Sequence, residues 1–259
     1  MSLIEAEAIE SELSPPFTVA LPEQLKVSLV FNSPHSGRIY PSTFLAASRL
    51  DSRALRRSED AYVEELFAFV TGLGAPLLHA HFPRAYLDVN REPYELDPIL
   101  FRDGLPHYAN TQSVRVVGGL GTIARIVSES DEIYREPLTV GAALERINRL
   151  YAPYHETLRD LLLAAQNAFG VAVLIDCHSM PSQATVAAPG ALLIDGAAMP
   201  PFAPEPSLMP RPPFALILLR LILLRALAES FTSTPSLPLA RIVLPLTVVS
   251  VVAVFIVTP

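Results

Sequence analysis

Residues 171–175, VAVLI, are uninterruptedly apolar, and the chain then passes straight into Asp176, Cys177, His178 and Ser179. Successive side chains of a strand point to opposite faces of a sheet, so a continuous apolar run must be covered on both sides. A buried central strand of an α/β protein meets that demand, and a half-solvated antiparallel strand does not. Gly170 immediately before it is placed to close a preceding helix.

The rest of the first 185 residues fits that frame. KVSLVFNSPHSG turns from apolar residues into Ser33, Pro34 and Gly37, which predicts a strand running into a loop that carries His35. Between Asp51 and Gly72, Val63, Leu66, Phe67 and Val70 have helical spacing, and this puts Asp60 near the start of a helix packed on the core. APLLHAHFP predicts a strand, and Ala85–Val89 a further one. From Glu132 to Phe169 the pattern is helical, with Ile147, Leu150, Tyr151, Tyr154, Leu158, Leu161 and Leu162 on one apolar stripe and Pro153 as an interruption. Strands alternating with helices predict an α/β fold of one large domain, with ligands at the carboxyl ends of the strands.

Bulk properties exclude several functions. The net charge of the 259 residues is −7 and there is no long basic run, so no nucleic acid partner is expected. One cysteine rules out an internal disulfide framework, and the acidic first thirty residues do not resemble a signal peptide. A cytoplasmic location is the expectation.

His35 and His178 both fall at predicted strand ends, with Glu59, Asp60 and Asp176 as available acids. Two neutral imidazoles and one carboxylate are the donors of a catalytic zinc with an open position. Each histidine alone reads first as a hydrogen-bonded structural residue and their long spacing defines no motif, but their shared placement at strand ends points toward a site. Asp176 can orient His178 or cap its loop. Ser179 reads as a loop hydrogen-bonder, and Cys177 as a small buried residue. His79 and His81 alternate with apolar residues and read as structural. Arg84 and Arg91 can ion-pair with Asp88, Glu92 or Glu95.

FNSPHSGRIYP (31–41), RRSEDAYVEELF (56–67), FPRAYLDVNREPYELDP (82–98), GTIARIV (121–127), YREPL (134–138), YAPYHETL (151–158) and VLIDCHSMPS (173–182) together resemble the N-formylglutamate amidohydrolase family. The resemblance is collinear over residues 25 to 185. It implies a zinc-dependent hydrolase distantly similar to zinc carboxypeptidases and aspartoacylases, with a three-layer α/β/α sandwich built on a mixed sheet. It implies His35 and His178 as metal ligands and a carboxylate of the SED triplet as the third. Asp60 is preferred to Glu59 because it lies next to the apolar helix face. The carboxypeptidase-like glutamate three residues after the first histidine is absent, since that position holds Arg38. Asn90 and Arg91 first, then Arg84, and after them Arg125, are implied as the clamp for substrate carboxylates, with Arg84 and Arg91 also the catalytic candidates; a guanidinium fork suits a carboxylate. The implied reaction is N-formylglutamate plus water giving formate and glutamate, a step of histidine degradation, on a small N-acyl amino acid. A deacylase for another N-acyl amino acid, or a non-catalytic membrane-associated carboxylate-binding protein, are the alternatives.

Residues 186–259 differ in character. They contain Asp195, Glu205 and Glu229 as their acids, no lysine, and much Pro, Leu, Val and Ala. The general-base glutamate implied by the resemblance, in a motif like Gln-x-Glu-x-Asn-Arg, has no counterpart here, and the resemblance stops near Thr185. Three readings stand: a membrane anchor over Ile242–Thr258 preceded by FALILLRLILLRALA, a divergent folded subdomain, or out-of-frame translation of a GC-rich gene. Composition favours the third, so the α/β domain of residues 1–185 is expected to be incomplete and the chain impaired in activity and poorly soluble.

Overall fold

A computed structural model describes residues 2–127 and 131–179, with the backbone of four strands at 193–194, 197–198, 242–243 and 250–257. The chain opens with α1 (Ser2–Glu12), β1 (Phe17–Ala20) and β2 (Leu29–Ser33). The short helices α2 (Ser42–Ala47), α3 (Ser52–Leu55) and α4 (Val63–Phe67) lead to β3 (Leu77–Ala80). A long irregular segment follows, carrying α5 (Val114–Val117) and the small ribbon β4 (Ile126–Val127) and β5 (Asp131–Glu132). Then come α6 (Val140–Arg146), α7 (Ala152–Phe169) and β6 (Ala172–His178), and after them β7 (Leu193–Ile194), β8 (Ala197–Ala198), β9 (Ile242–Val243) and β10 (Ser250–Val257).

The main sheet has the order β1-β3-β2-β6-β10-β9. β2 runs parallel to both β3 and β6, while β1, β10 and β9 pair antiparallel with their neighbours, so the sheet is mixed. Period-two alternation sorts the side chains into two apolar clusters. Val30, Leu78 and Ala172 belong to one, with residues of α1, α6 and α7; Leu29, Phe31, Leu77, Ile175 and Cys177 belong to the other, with Val63 and Phe67 of α4. The VAVLIDC run is therefore covered on both faces, as its pattern requires.

Several sequence expectations are corrected. Ala85–Val89 forms turns and not a strand: the Tyr86 and Leu87 N–H groups both donate to Pro83 O, and the apolar side chains are buried without entering the sheet. The helix expected from Glu132 begins at Val140, after Glu132 has joined the ribbon; Pro137 cannot continue a helix backwards, and Thr139 caps the new start by accepting from Ala142 N–H. The helix expected between Asp51 and Gly72 is broken into α3, α4 and 3-10 turns, with Tyr62 at φ 64° just before α4. Pro153 does not end its helix. A π-helical turn over Ile147–Tyr151, in which Ala152 N–H donates to Ile147 O, joins α6 to α7 and accommodates the proline in the first turn of α7. Gly170 closes α7 at φ 77° as expected.

Of the segment read as a membrane anchor, Ile242–Val243 and Ser250–Val257 are strands, and β10 pairs with β6. FALILLRLILLRALA lies outside the described residues. Among the described residues no helix is long and apolar enough to cross a membrane.

Candidate metal centre

Two parallel neighbours, β2 and β6, place their carboxyl ends side by side, in register at Asn32 and Asp176. This explains how His35, two residues beyond β2, meets His178, the last residue of β6, across a sequence separation of 143. Alternation then divides β6. Ile175 and Cys177 point into the apolar cluster, leaving Asp176 and His178 for the opposite face. The His35 loop lies hard against the chain after β3: a Cβ on Gly37 would stand 2.1 Å from Phe82 O, so only glycine allows this approach. Asp60 is drawn in by its backbone, whose N–H donates to His35 O at 3.0 Å.

His35, Asp60 and His178 are all buried and bring one ligand atom each to a common point. The Nδ1 atoms of the two histidines are 3.1 Å apart. Asp60 Oδ2 is 2.8 Å from His178 Nδ1 and 3.4 Å from His35 Nδ1. Zinc–nitrogen bonds of about 2.05 Å in a tetrahedron imply ligand–ligand separations of about 3.3 Å, so this triangle is the size a zinc ion needs.

The far side of each imidazole is held by a carboxylate. His35 Nε2 is 2.7 Å from Asp88 Oδ1, and His178 Nε2 is 2.9 Å from Asp176 Oδ2. In the tautomer that donates both Nε2–H groups outward, the two Nδ1 lone pairs and Asp60 Oδ2 face one another as acceptors, an arrangement suited to a cation or a proton between them. Without a metal, burial pushes the His178 pKa down, but hydrogen bonds to Asp176 and Asp60 outweigh it and raise it to about 9. Burial pushes the Asp60 carboxyl up, and the bonds from His178 and His35 overcome this and hold it below the ordinary range. Asp88 is likewise held low: burial opposes it, while His35, Arg84 and Arg91 outweigh the burial.

The expected residues divide clearly. Asp60 joins the histidines, whereas Glu59 accepts from Tyr40 OH at 2.7 Å and pairs with Arg56. Asp176 takes the orienting role. Ser179 donates to Asp60 Oδ1 at 3.2 Å, and Cys177 is fully buried in the apolar cluster. His81 bonds Thr18 and Pro15 O, a structural role. Arg38 pairs with Glu64 and Glu65 and stacks on Tyr62.

Asn90 donates its side-chain amide to Asp176 Oδ2 at 3.2 Å and its backbone N–H to Asp88 Oδ1 at 2.9 Å. Arg84 and Arg91 both reach Asp88 Oδ2, at 2.9 and 3.5 Å. Arg91 is further held by Leu120 O and Asn90 O, and its side chain is 11% exposed against 25% for Arg84. Arg125 pairs instead with Asp97 and Glu132. Tyr151 OH donates to Arg91 O, and His155 Nε2 lies 2.8 Å from Val89 O, which staples this loop to α7.

Sequence reasoning missed Asp88 and Asn32. Asp88 read only as an arginine partner; its place two residues before Asn90 in DVNRE was the available signal. Asn32 is a polar residue at the end of an apolar strand, and it donates to Asp176 Oδ1 at 2.7 Å.

The sequence profile of the family described as N-formylglutamate amidohydrolase matches residues 27–214, past Thr185 and across most of the chain. Two curated relatives are named N-formylglutamate deformylase. The one from Pseudomonas aeruginosa is 27% identical over 159 residues, covering 61% of this chain and 53% of its own length. The one from Pseudomonas putida is 26% identical over 161 residues, covering 61% and 54%. The chain thus spans about half the length of these relatives. A crystal structure of N-formylglutamate amidohydrolase from Ralstonia eutropha JMP134 superposes with a TM-score of 0.62 at 37% identity, over 66% of this chain and 60% of that one.

Proposed function

Because the chain belongs to the N-formylglutamate amidohydrolase family, we propose that His35, Asp60 and His178 hold a zinc ion and that the site is built to hydrolyse the formyl amide of N-formylglutamate. The observation that carries this reading is the triangle of three buried acceptor atoms, each histidine being turned toward it by its own carboxylate. Zinc bound there would supply Lewis-acid polarisation of the formyl oxygen and acidification of water.

The chain's own residues account for the remaining requirements. Asp88 and Asp176 keep the imidazoles in the tautomer that exposes Nδ1. Arg84, with the more exposed guanidinium, is the first partner for a substrate carboxylate, and Arg91 and Asn90 shape the same loop. Arg125 would serve a second carboxylate only by leaving Asp97. In the overall reaction the formyl C–N bond breaks, water oxygen bonds to the formyl carbon, and the leaving amine takes up a proton. We read the fold as a zinc-carboxypeptidase-like three-layer α/β/α sandwich, a reading supported by apolar clusters on both faces of the mixed sheet.

Full activity also needs a general base. Glu205 and Glu229 lack the expected surroundings, and the family profile, although it runs past Thr185, ends at residue 214. A protein of these 259 residues is therefore expected to bind zinc but to show little hydrolysis of N-formylglutamate. Formate release by the purified, zinc-supplemented protein tests this. Robust zinc-dependent turnover overturns the impairment, and failure to bind zinc overturns the metal site.

A further inference from the structure

The segment YAPYHETL contributes Tyr154 to the buried apolar stripe of α7, yet its hydroxyl is used. Tyr154 is fully buried, with its ring fixed edge-on against Phe17 and Phe82 at centroid distances of 5.5 and 6.3 Å. Its O–H donates to Asn32 Oδ1. The Asn32 amide nitrogen then donates to Asp176 Oδ1, and Asp176 Oδ2 faces His178 Nε2. Tyr154 and Asn32 donate in turn toward Asp176, whose carboxylate accepts from Asn32 on one oxygen and from His178 Nε2–H on the other, and this last bond sets which nitrogen of His178 is free.

We propose that Tyr154 and Asn32 are positioning residues for the metal centre, transmitting the rigid placement of α7 through Asp176 to the His178 ring. This deepens the zinc reading and rests on it. α7 packs directly on β2 and β6, so a helix already anchored in the core fixes the hydroxyl. The parallel register that sets Asn32 beside Asp176 fixes the middle of the chain of bonds. Removing the hydroxyl leaves Asn32 Oδ1 buried and unsatisfied, which loosens the amide and the carboxylate it steadies.

The test is zinc affinity of the full chain by chelator competition, with the visible spectrum of the cobalt(II)-loaded protein as a report on ligand geometry. Tyr154→Phe should weaken zinc binding about 10-fold, the lower end expected for a group supporting a metal ligand, and shift the cobalt spectrum. Tyr134→Phe removes another buried hydroxyl, bonded to Arg146, and should lower melting temperature with no change in either metal readout. Unchanged zinc affinity and cobalt spectrum in Tyr154→Phe overturn the positioning role while leaving the zinc site standing. An equal loss of zinc affinity in Tyr134→Phe overturns it too, because the effect is then general loosening. If Tyr154→Phe does not fold, Asn32→Ser carries the same expectation and the same refutation. If the parent chain binds no zinc, the zinc reading falls and takes this proposal with it.

Discussion

Two buried clusters of charged and polar groups in this protein differ in closure. In the first, Arg146 of α6 donates to Glu5 of α1, to Tyr134 OH and to Tyr86 O, while Tyr86 OH also bonds Glu5. The Tyr86 ring covers the guanidinium at 4.0 Å. One positive and one negative charge cancel, and the Arg146 Nε and Nη1 groups both meet acceptors. Burial works against the Arg146 charge, and Tyr134, Tyr86 and Glu5 more than restore it. In the second cluster three carboxylates, Asp60, Asp88 and Asp176, surround two histidines, and both arginines there go to Asp88. Three atoms able to ligate a metal are left facing one another. A closed polar network fastens α1 to the body of the fold; the open one, equally buried, is a group that could hold a metal ion.

That contrast can be broken most forcefully at Arg146. Arg146→Met strands Glu5 and should destabilise the fold by ~3–5 kcal/mol, the cost of leaving half of a buried ion pair. Chemical denaturation measures it, and the zinc affinity of the folded fraction should not change. A loss below ~1 kcal/mol would mean the pair is not closed in the way described.

Zinc itself separates the two clusters next. At a concentration 100 times its Kd, zinc should stabilise the parent by ~2.7 kcal/mol. In His178→Ala that gain should vanish, with an affinity loss beyond about 100-fold. Thermal denaturation with and without metal reads both, and a zinc-dependent gain in His178→Ala would place the ion elsewhere.

Smaller effects sharpen the boundary of the open cluster. Asp88→Asn keeps the shape but removes the charge behind His35, so zinc should bind about 10-fold more weakly by calorimetric titration. Glu59→Gln should be the mildest. It weakens the contacts with Tyr40 and Arg56 at a cost of at most ~1 kcal/mol and leaves zinc affinity unchanged. A larger metal effect from Glu59 than from Asp60→Asn would reverse the choice between these neighbours.

How legible the centre was depended on the kind of signal. His35 and His178 could be paired because strand ends are marked by abrupt loss of apolar character, and α/β sheets gather such ends on one edge. Asp60 could be preferred over Glu59 by its position beside an apolar helix face, although that helix proved to be broken into short turns. Asp88 was hidden by its arginine neighbours, since an acid between two cations reads as a surface pair. Tyr154 was hidden differently: on an apolar stripe a tyrosine reads as core, and its ring is core while its hydroxyl is not.

By itself, then, the amino-acid sequence determined that a doubly covered strand ends in Asp176 and His178, that a second strand ends near His35, and which family pattern surrounds them. Those are consequences of local periodicity, which a linear pattern records. Tertiary structure alone decided which carboxylate faces which ring nitrogen, that Ala85–Val89 turns away from the sheet, and that Tyr154 reaches Asn32. Such contacts join residues far apart in the chain, and they depend on strand register and helix packing, neither of which any single segment encodes.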